Sequence, residues 1–93
     1  MKAIWKYEIS PALQTEVSLP RGAEWLHVAV QNGKPYVWAL ADDDEPLTEV
    51  RALLLFQTGE RFDTPPDADY IGSFHVPDAL INGEFVGHVW GSR

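Results

Sequence analysis

Three histidines, His27, His75 and His88, are the side chains of this sequence with the clearest potential for metal binding or proton transfer. Each falls in a different predicted strand, and neighbouring strands can bring imidazoles together as a zinc ion requires. No two of them have the short spacing of a metal-ligand pair. The chain also has no cysteine, which excludes thiolate catalysis and cysteine-based zinc sites. We therefore interpret the histidines as separate hydrogen-bonded or surface residues, and we expect no metal and no cofactor.

Two acidic stretches are the other candidates for cation binding or acid–base chemistry. Residues 42–45 read Asp-Asp-Asp-Glu, but they lack the alternating spacing, the glycine and the downstream bidentate glutamate of a calcium loop. Asp63, Asp67 and Asp69 lie in a proline-rich segment, where nothing in the sequence supplies an apolar pocket that would separate their pKa values. The first stretch is interpreted as a solvated charged turn, and the second as part of a polar loop without an acid–base role.

Catalytic motifs are missing from the chain. There is no Gly-x-Ser-x-Gly and no glycine-rich phosphate loop. A nucleophile, a base and an orienting group cannot be assembled from the sequence, so we expect that the protein is not an enzyme. A hydrolase that uses a histidine is the alternative that this argument leaves.

A tight hairpin is the element that the sequence defines best. The runs 24–31 and 34–41 alternate between apolar and polar residues and are separated by Asn32-Gly33. This dipeptide is typical of a type I′ turn, because both central residues of that turn need a positive φ. A two-residue turn also fixes the register of the two strands.

The register of the hairpin predicts two faces of different chemistry. Counting back from the turn places Leu26 opposite Ala39 and Trp25 opposite Leu40. One face is then aliphatic and is expected to fold against the core, whereas the other is aromatic. The aliphatic face comprises Leu26, Val28, Val30 and Val37, and the aromatic face comprises Trp25, His27, Tyr36 and Trp38.

The predicted aromatic face is the candidate binding surface. Rigid aromatic side chains offer a large contact area at a low cost in entropy and are enriched at interface centres. Flat rings can also stack on a nucleobase, with Arg51, Arg61 or Lys6 to neutralise a phosphate. Self-association is the simplest use of such a face, because an exposed apolar patch on a small β protein favours it. The structural alternative is that a loop or a second sheet covers the rings.

The rest of the chain predicts short strands with turn signals between them. Besides the hairpin, strands are expected at 3–9, 14–19, 49–57, 70–76 and 84–90, with one helical turn at most near 46–48. The apolar run 52–56 predicts an interior strand that is buried on both faces. Together these signals indicate a single all-β domain over residues 1–93, a small antiparallel sandwich or partly closed barrel of six to seven short strands.

Composition indicates which class of partner and which cellular compartment are expected. The 93 residues fit one domain, and the formal net charge of −7 repels a nucleic acid backbone. An acidic chain can instead meet a basic protein surface. The lack of cysteine and a charged N-terminal segment without an apolar run favour the cytoplasm. No segment approaches the roughly 20 apolar residues of a membrane span.

Several short motifs resemble a family of small uncharacterised proteins from phages, prophages and bacterial genomes. They are an opening Ile4-Trp5-Lys6-Tyr7, a turn at Pro20-Arg21-Gly22-Ala23, the hairpin core Val28-x-Val30-Gln31-x-Gly33-x-Pro35 with Trp38-Ala39-Leu40, then Thr58-Gly59, Tyr70-Ile71-Gly72-x-Phe74 and the closing His88-Val89-Trp90. The resemblance implies a cytoplasmic, phage-linked accessory protein. It implies no activity.

Three functions are consistent with these observations. The first, favoured by small size, acidity and the resemblance, is a non-enzymatic protein that binds a host component, with an inhibitor of host antiviral defence as one form. The second is an oligomer that sequesters a nucleotide signal in an aromatic pocket. The third is a minor structural protein of a virion.

Overall fold

Strands dominate the computed structural model, which describes residues 1–10, 14–78 and 83–93. The described residues form seven strands in two sheets, and no helix among them is long and apolar enough to cross a membrane. The strands are β1 (Lys2–Glu8), β2 (Gln14–Pro20), β3 (Glu24–Gln31), β4 (Lys34–Asp42), β5 (Thr48–Gln57), β6 (Ala68–Asp78) and β7 (Gly83–Ser92).

The two sheets are antiparallel throughout and are stacked as a sandwich. One sheet has the strand order β1-β4-β3, and the other has the order β2-β5-β7-β6. Neither sheet closes on itself. Of the two predicted folds, the chain therefore adopts the sandwich and not the partly closed barrel. Residues 45–47, where the sequence allowed one helical turn at most, form no helix, and Thr48 already begins β5. The connection between the predicted strands 3–9 and 14–19, and the connection between 70–76 and 84–90, lie partly outside the described residues.

The hairpin turn is formed as predicted. Asn32 has φ 54° and Gly33 has φ 78°, the two positive values that a type I′ turn requires. The predicted pairs follow in order from the turn as far as His27 opposite Trp38. The turn residues therefore do fix the register over the half of the hairpin that is nearest to them.

A β-bulge at Leu26 then shifts the register. Trp25 pairs with Ala39 and not with Leu40, and Leu26 is left without a partner residue and is 44% exposed. One extra residue moves every side chain beyond it to the other face of the strand. The prediction that Trp25 belongs to the aromatic face, and Leu26 to the aliphatic face, is wrong for this reason. Trp25 instead turns inward, between the sheets.

The core lies between the two sheets. Val37, Ala39 and Ala41 alternate inward along β4, and they face inward-pointing side chains of β5 and β7 such as Leu53 and Val89. The prediction that β5 is an interior strand is confirmed, since it lies between β2 and β7.

The outer side of β5 is also partly covered. The ring of Phe62, from the loop that follows β5, stacks on Phe56 with 3.7 Å between centroids and 6° between planes. Trp90 and Tyr70 continue this cluster along the outer side of the four-stranded sheet. The loop therefore covers the outer face at the end of β5, so that this part of the strand is shielded on both faces.

Two glycines of β7 let large side chains occupy the space between the sheets. A Cβ atom on Gly87 would lie 2.6 Å from Cζ of Phe74 and 2.7 Å from Cδ1 of Leu55. A Cβ atom on Gly91 would overlap the indole ring of Trp25. Because real Cβ atoms do not approach other atoms so closely, both positions require glycine for packing.

Candidate functional site

Three of the predicted binding residues meet on the outer side of the three-stranded sheet. Trp38 in the central strand β4 pairs with His27 in β3, and Tyr36 lies two residues away on the same side of β4. The ring of Trp38 is 6.0 Å from that of His27 and 6.2 Å from that of Tyr36, centroid to centroid. His27 is exposed and the other two are half-buried. We call this cluster of His27, Tyr36 and Trp38 the outer aromatic patch.

Strand β1 extends the outer aromatic patch with one cation and one aliphatic side chain. The Nζ atom of Lys6 lies 4.5 Å from the centre of the Tyr36 ring and donates a hydrogen bond of 2.7 Å to Oε1 of Gln31. This is the geometry of a cation–π contact. Ile4, which is 63% exposed, pairs with Leu40 on the same side of the sheet. Lys2 and Glu8, the other even-numbered residues of β1, lie on this side too, so the surface has an aromatic centre with charged side chains along β1.

Trp25 and Arg51 lie elsewhere, and they meet each other. The indole Nε1 of Trp25 donates a 2.9 Å hydrogen bond to the carbonyl of Ser92 in the opposite sheet. Arg51 comes from β5, is only 8% exposed, and has its Cζ atom 5.8 Å from the centre of the Trp25 ring. The structure thus divides the predicted binding residues between the outer aromatic patch and this site between the sheets.

The charge of Arg51 is already balanced. Its Nε and Nη2 atoms both donate to Oε1 of Glu49, at 2.9 and 2.5 Å. The backbone N–H of Gly22 donates to the same oxygen at 3.3 Å. These hydrogen bonds, chiefly those from Arg51, hold the pKa of Glu49 below its usual value. Arg51 consequently acts as a structural ion-pair partner and is not available to the outer aromatic patch.

Within the acidic stretch, Asp42 ends β4 and Asp43 and Asp44 form an exposed turn, and these three carboxylates face a positive charge of the chain itself. The α-amino group of Met1 lies 2.6 Å from Oδ2 of Asp44, 3.2 Å from Oδ1 of Asp42 and 3.4 Å from Oδ1 of Asp43. Hydrogen bonds to Asp44 and then Asp42 raise the pKa of this amino group. The three carboxylates lie within 4.8 Å of one another. The amino group is the cation that they contact in this structure.

The histidines are separate, which confirms the interpretation from the sequence. His27 belongs to the outer aromatic patch, while His75 and His88 lie on the other sheet. The Nδ1 atom of His75 lies 3.0 Å from Oε2 of Glu84. His88 has partners of its own, so each imidazole contacts a different set of residues.

A chain of hydrogen bonds around His88 was missed by sequence reasoning. Its Nδ1 atom lies 2.6 Å from Oγ of Ser73, and its Nε2 atom lies 2.7 Å from Oγ1 of Thr58. The Ser73 hydroxyl is in turn 2.6 Å from the hydroxyl of Tyr70. Ser73 and His88 are directly opposite each other in β6 and β7. A bulge between Tyr70 and Gly72 shifts this pairing, so the sequence alone offered no signal for it.

The groups around His88 satisfy one another without needing a charge. With a neutral imidazole, the Tyr70 hydroxyl donates to Ser73, Ser73 donates to Nδ1, and the Nε2–H donates to Thr58. The reverse direction is equally consistent. Among the hydrogen bonds of the described residues, none joins His88 to a carboxylate, which is the group that orients the base of a catalytic triad. The chain of hydrogen bonds ties β6 and β7 to the end of β5.

A groove of about 700 Å³ opens between the sheets at the end near Lys34. Glu8 and Lys34 lie at its edge and form an ion pair of 3.7 Å. The remaining lining is mostly aliphatic and aromatic and includes Ile9, Pro35, Leu55, Phe74, Val76 and Phe85. Such a lining is suited to apolar groups and offers little to a phosphate.

A comparison with known protein families identifies the family of this chain. The model of the Domain of unknown function (DUF7352) matches residues 1–93. The chain belongs to this family. No curated protein and no solved structure matches it. The sequence resemblance is thereby confirmed in its coarser form, a domain of unknown function that spans the whole chain.

Proposed function

We propose that this domain is a non-enzymatic binding protein that holds a partner protein against its outer aromatic patch. The observation that carries the proposal is the position of Trp38, which lies between His27 and Tyr36 on a sheet surface that no described strand covers. An antiparallel sheet surface that faces only water usually carries polar side chains. Aromatic rings in this position are instead typical of the centre of a protein interface.

The charge of the domain indicates the chemistry of the partner. A net charge of −7 attracts a basic surface and repels nucleic acid. The matching partner is a protein with an apolar contact centre and a basic edge. In line with the sequence resemblance, we propose that the domain is encoded by a phage or prophage and binds such a protein in the host cytoplasm. Inhibition of a component of host antiviral defence is one form of this function.

The structure offers less support for a protein that sequesters a nucleotide. That function needs free cations beside the stacking rings. Arg51 is buried and paired with Glu49, and Lys6 already contacts Tyr36 and Gln31. No feature of the described residues favours a structural role in a virion over binding. Protein binding is therefore the function that these contacts support best.

The test is an affinity capture with the domain as bait in host lysate, repeated over a series of salt concentrations. We expect a specific host protein on the wild-type bait and its loss on the Trp38→Ala bait. Tyr70→Ala is the matched control, because Tyr70 is also an exposed aromatic residue, at 53%, but lies on the other sheet. This control should retain the partner. Capture that is absent at every salt concentration, or that survives Trp38→Ala but not Tyr70→Ala, would overturn the proposal.

A further inference from the structure

Strand β1 is an edge strand with a regular and open outer edge. All seven residues from Lys2 to Glu8 pair with β4 without a bulge, and β4 is the only described strand with which β1 makes extensive contact. The other edge of the same sheet, β3, packs against β6, and each of these two strands contains a bulge. Bulges, prolines, covering elements and charged side chains are the usual devices that prevent edge strands from pairing further. Within the described residues, β1 has no bulge, proline or cover, and the charges of Lys2, Lys6 and Glu8 are the one such device that it carries.

The hydrogen-bonding groups on the outer edge of β1 belong to its even-numbered residues. Ile9 donates its N–H to the carbonyl of Pro35, and the carbonyl of Met1 accepts from the N–H of Asp43. The backbone N–H and C=O groups of the odd-numbered residues therefore point toward β4. Directions alternate along a strand. The N–H and C=O groups of Lys2, Ile4, Lys6 and Glu8 therefore point away from the sheet.

The side chains of β1 are complementary to those of a second, antiparallel copy of β1. A twofold axis perpendicular to the sheet at Trp5, the middle residue of the strand, places Lys2 of one copy opposite Glu8 of the other. Ile4 then lies opposite the aliphatic stem of Lys6. All seven residues are paired, and opposite charges face each other at both ends.

Neighbouring registers are less favourable. An axis at Ile4 places Lys2 opposite Lys6, and an axis at Lys6 places two copies of Lys6 opposite each other. Like charges directly opposite each other destabilise a strand pair. An axis at Trp5 also matches the hydrogen-bond directions. It pairs Lys2 with Glu8 and Ile4 with Lys6, and the backbone N–H and C=O groups of these residues point away from β4 toward the second copy. They would form about eight hydrogen bonds between the copies.

We propose that a second copy of this chain pairs with β1 in this register, so that two three-stranded sheets become one continuous six-stranded sheet. Trp5, which is 38% exposed, pairs with its own copy across the axis at a position where opposing side chains are closest. The axis keeps both outer aromatic patches on the same side of the joined sheet. A dimer therefore presents two binding surfaces side by side, although the pairing itself does not depend on the proposed function.

The test exchanges the charges at the ends of the strand pair, with the solution mass as the readout. For the wild type, sedimentation should give twice the monomer mass of 10.5 kDa. Lys2→Glu and Glu8→Lys each place like charges opposite each other at both ends, and each should weaken the dimer about tenfold or more. An equimolar mixture of the two variants restores opposite charges at both ends and should recover the dimer. Circular dichroism of each variant confirms that the monomer remains folded.

A backbone variant tests the edge independently of charge. Ile4→Pro removes an N–H that points outward and leaves the hydrogen bonds to β4 in place, so it should yield a folded monomer. Trp38→Ala, on the outer aromatic patch, should leave the dimer unchanged. The proposal is overturned if the wild type is monomeric at about 1 mM, a concentration at which even weak dimers form. It is equally overturned if Ile4→Pro still dimerises, or if the mixture of charge variants stays monomeric.

Discussion

The indole N–H of Trp25 donates to the carbonyl of Ser92, and the guanidinium of Arg51 lies against the same indole ring. Glu49 completes the group by accepting both hydrogen bonds from Arg51. The inward turn of Trp25 places its ring against this ion pair at the boundary between the sheets. At the scale of single residues, the side chains of Trp25 and Arg51 stabilise the sandwich and leave binding to the outer aromatic patch.

The ion pair between Arg51 and Glu49 predicts a dependence of stability on pH. The pKa of Glu49 is lower in the folded protein than in the unfolded chain, so the unfolded state takes up a proton first as the pH falls. The stabilisation is therefore complete above about pH 4.5 and is lost as the pH falls through the lower pKa of the folded state. The free energies of unfolding of the wild type and of Glu49→Gln, measured in urea from neutral pH to about pH 3, should differ by an amount that decreases as the pH falls. A difference in free energy of unfolding that stays constant with pH would contradict a stabilising ion pair between Arg51 and Glu49.

The hydroxyl of Tyr7 is a buried polar group without a hydrogen-bond partner among the described residues. Burial also raises the pKa of this hydroxyl. A buried donor or acceptor that is left unsatisfied costs about 1–3 kcal/mol, so Tyr7→Phe should increase the free energy of unfolding by roughly 1 kcal/mol. For a domain of this size, the melting temperature should rise by roughly 5 °C. A lower melting temperature in Tyr7→Phe would show that the hydroxyl is satisfied in solution.

At the scale of elements, the hairpin shows how far a local sequence determines structure. Asn32 and Gly33 specify the turn by their backbone conformation alone, so the register near them follows from the sequence. The bulge at Leu26 depends instead on packing between the sheets, because it allows Trp25 to fill the space beside Gly91 in the other sheet. Periodicity within the hairpin contains no information about that space. The predicted aromatic face was therefore correct for the residues near the turn and wrong for Trp25.

The hydrogen bonds around His88 could not be predicted for a similar reason. Ser73 and His88 meet only because of the register between β6 and β7, which includes a bulge. Thr58 reaches the same imidazole from the turn after β5. Each of these residues looks ordinary in the sequence, and only the pairing of three separate segments gives them a common partner. The class of fold, in contrast, follows from strand periodicity and turn residues that are local throughout.

Gly87 in β7 gives a test of the packing between the sheets. Gly87→Ala places a methyl group against Phe74 and Leu55, which are both buried, and should destabilise the domain by about 1–3 kcal/mol. Gly72→Ala is a milder control, since its methyl group would lie 3.2 Å from Cβ of Val28. Urea unfolding should give the order wild type, Gly72→Ala, Gly87→Ala from most to least stable. Equal stability of Gly87→Ala and the wild type would contradict the close approach of the two sheets.

At the scale of the whole molecule, the two outer surfaces of the sandwich differ in what covers them. On the four-stranded sheet, Phe62 folds back over Phe56 and Trp90, and Ser73 and Thr58 satisfy His88. On the three-stranded sheet, the rings around Trp38 have no comparable cover among the described residues. The open edge of β1 lies beside these rings. The three-stranded sheet thus carries both the outer aromatic patch and the outer edge of β1.

The central claim is that this open sheet surface binds a partner protein, and the affinity of the captured host protein for matched variants tests it most directly. Truncation of a hot-spot residue, often a tryptophan at the centre of an interface, costs about 2 kcal/mol or more of binding free energy, so Trp38→Ala should raise the dissociation constant by roughly 30-fold or more. Tyr70→Ala, on the opposite surface, should change it by less than about threefold. Equal dissociation constants for the wild type and a folded Trp38→Ala variant would contradict the claim.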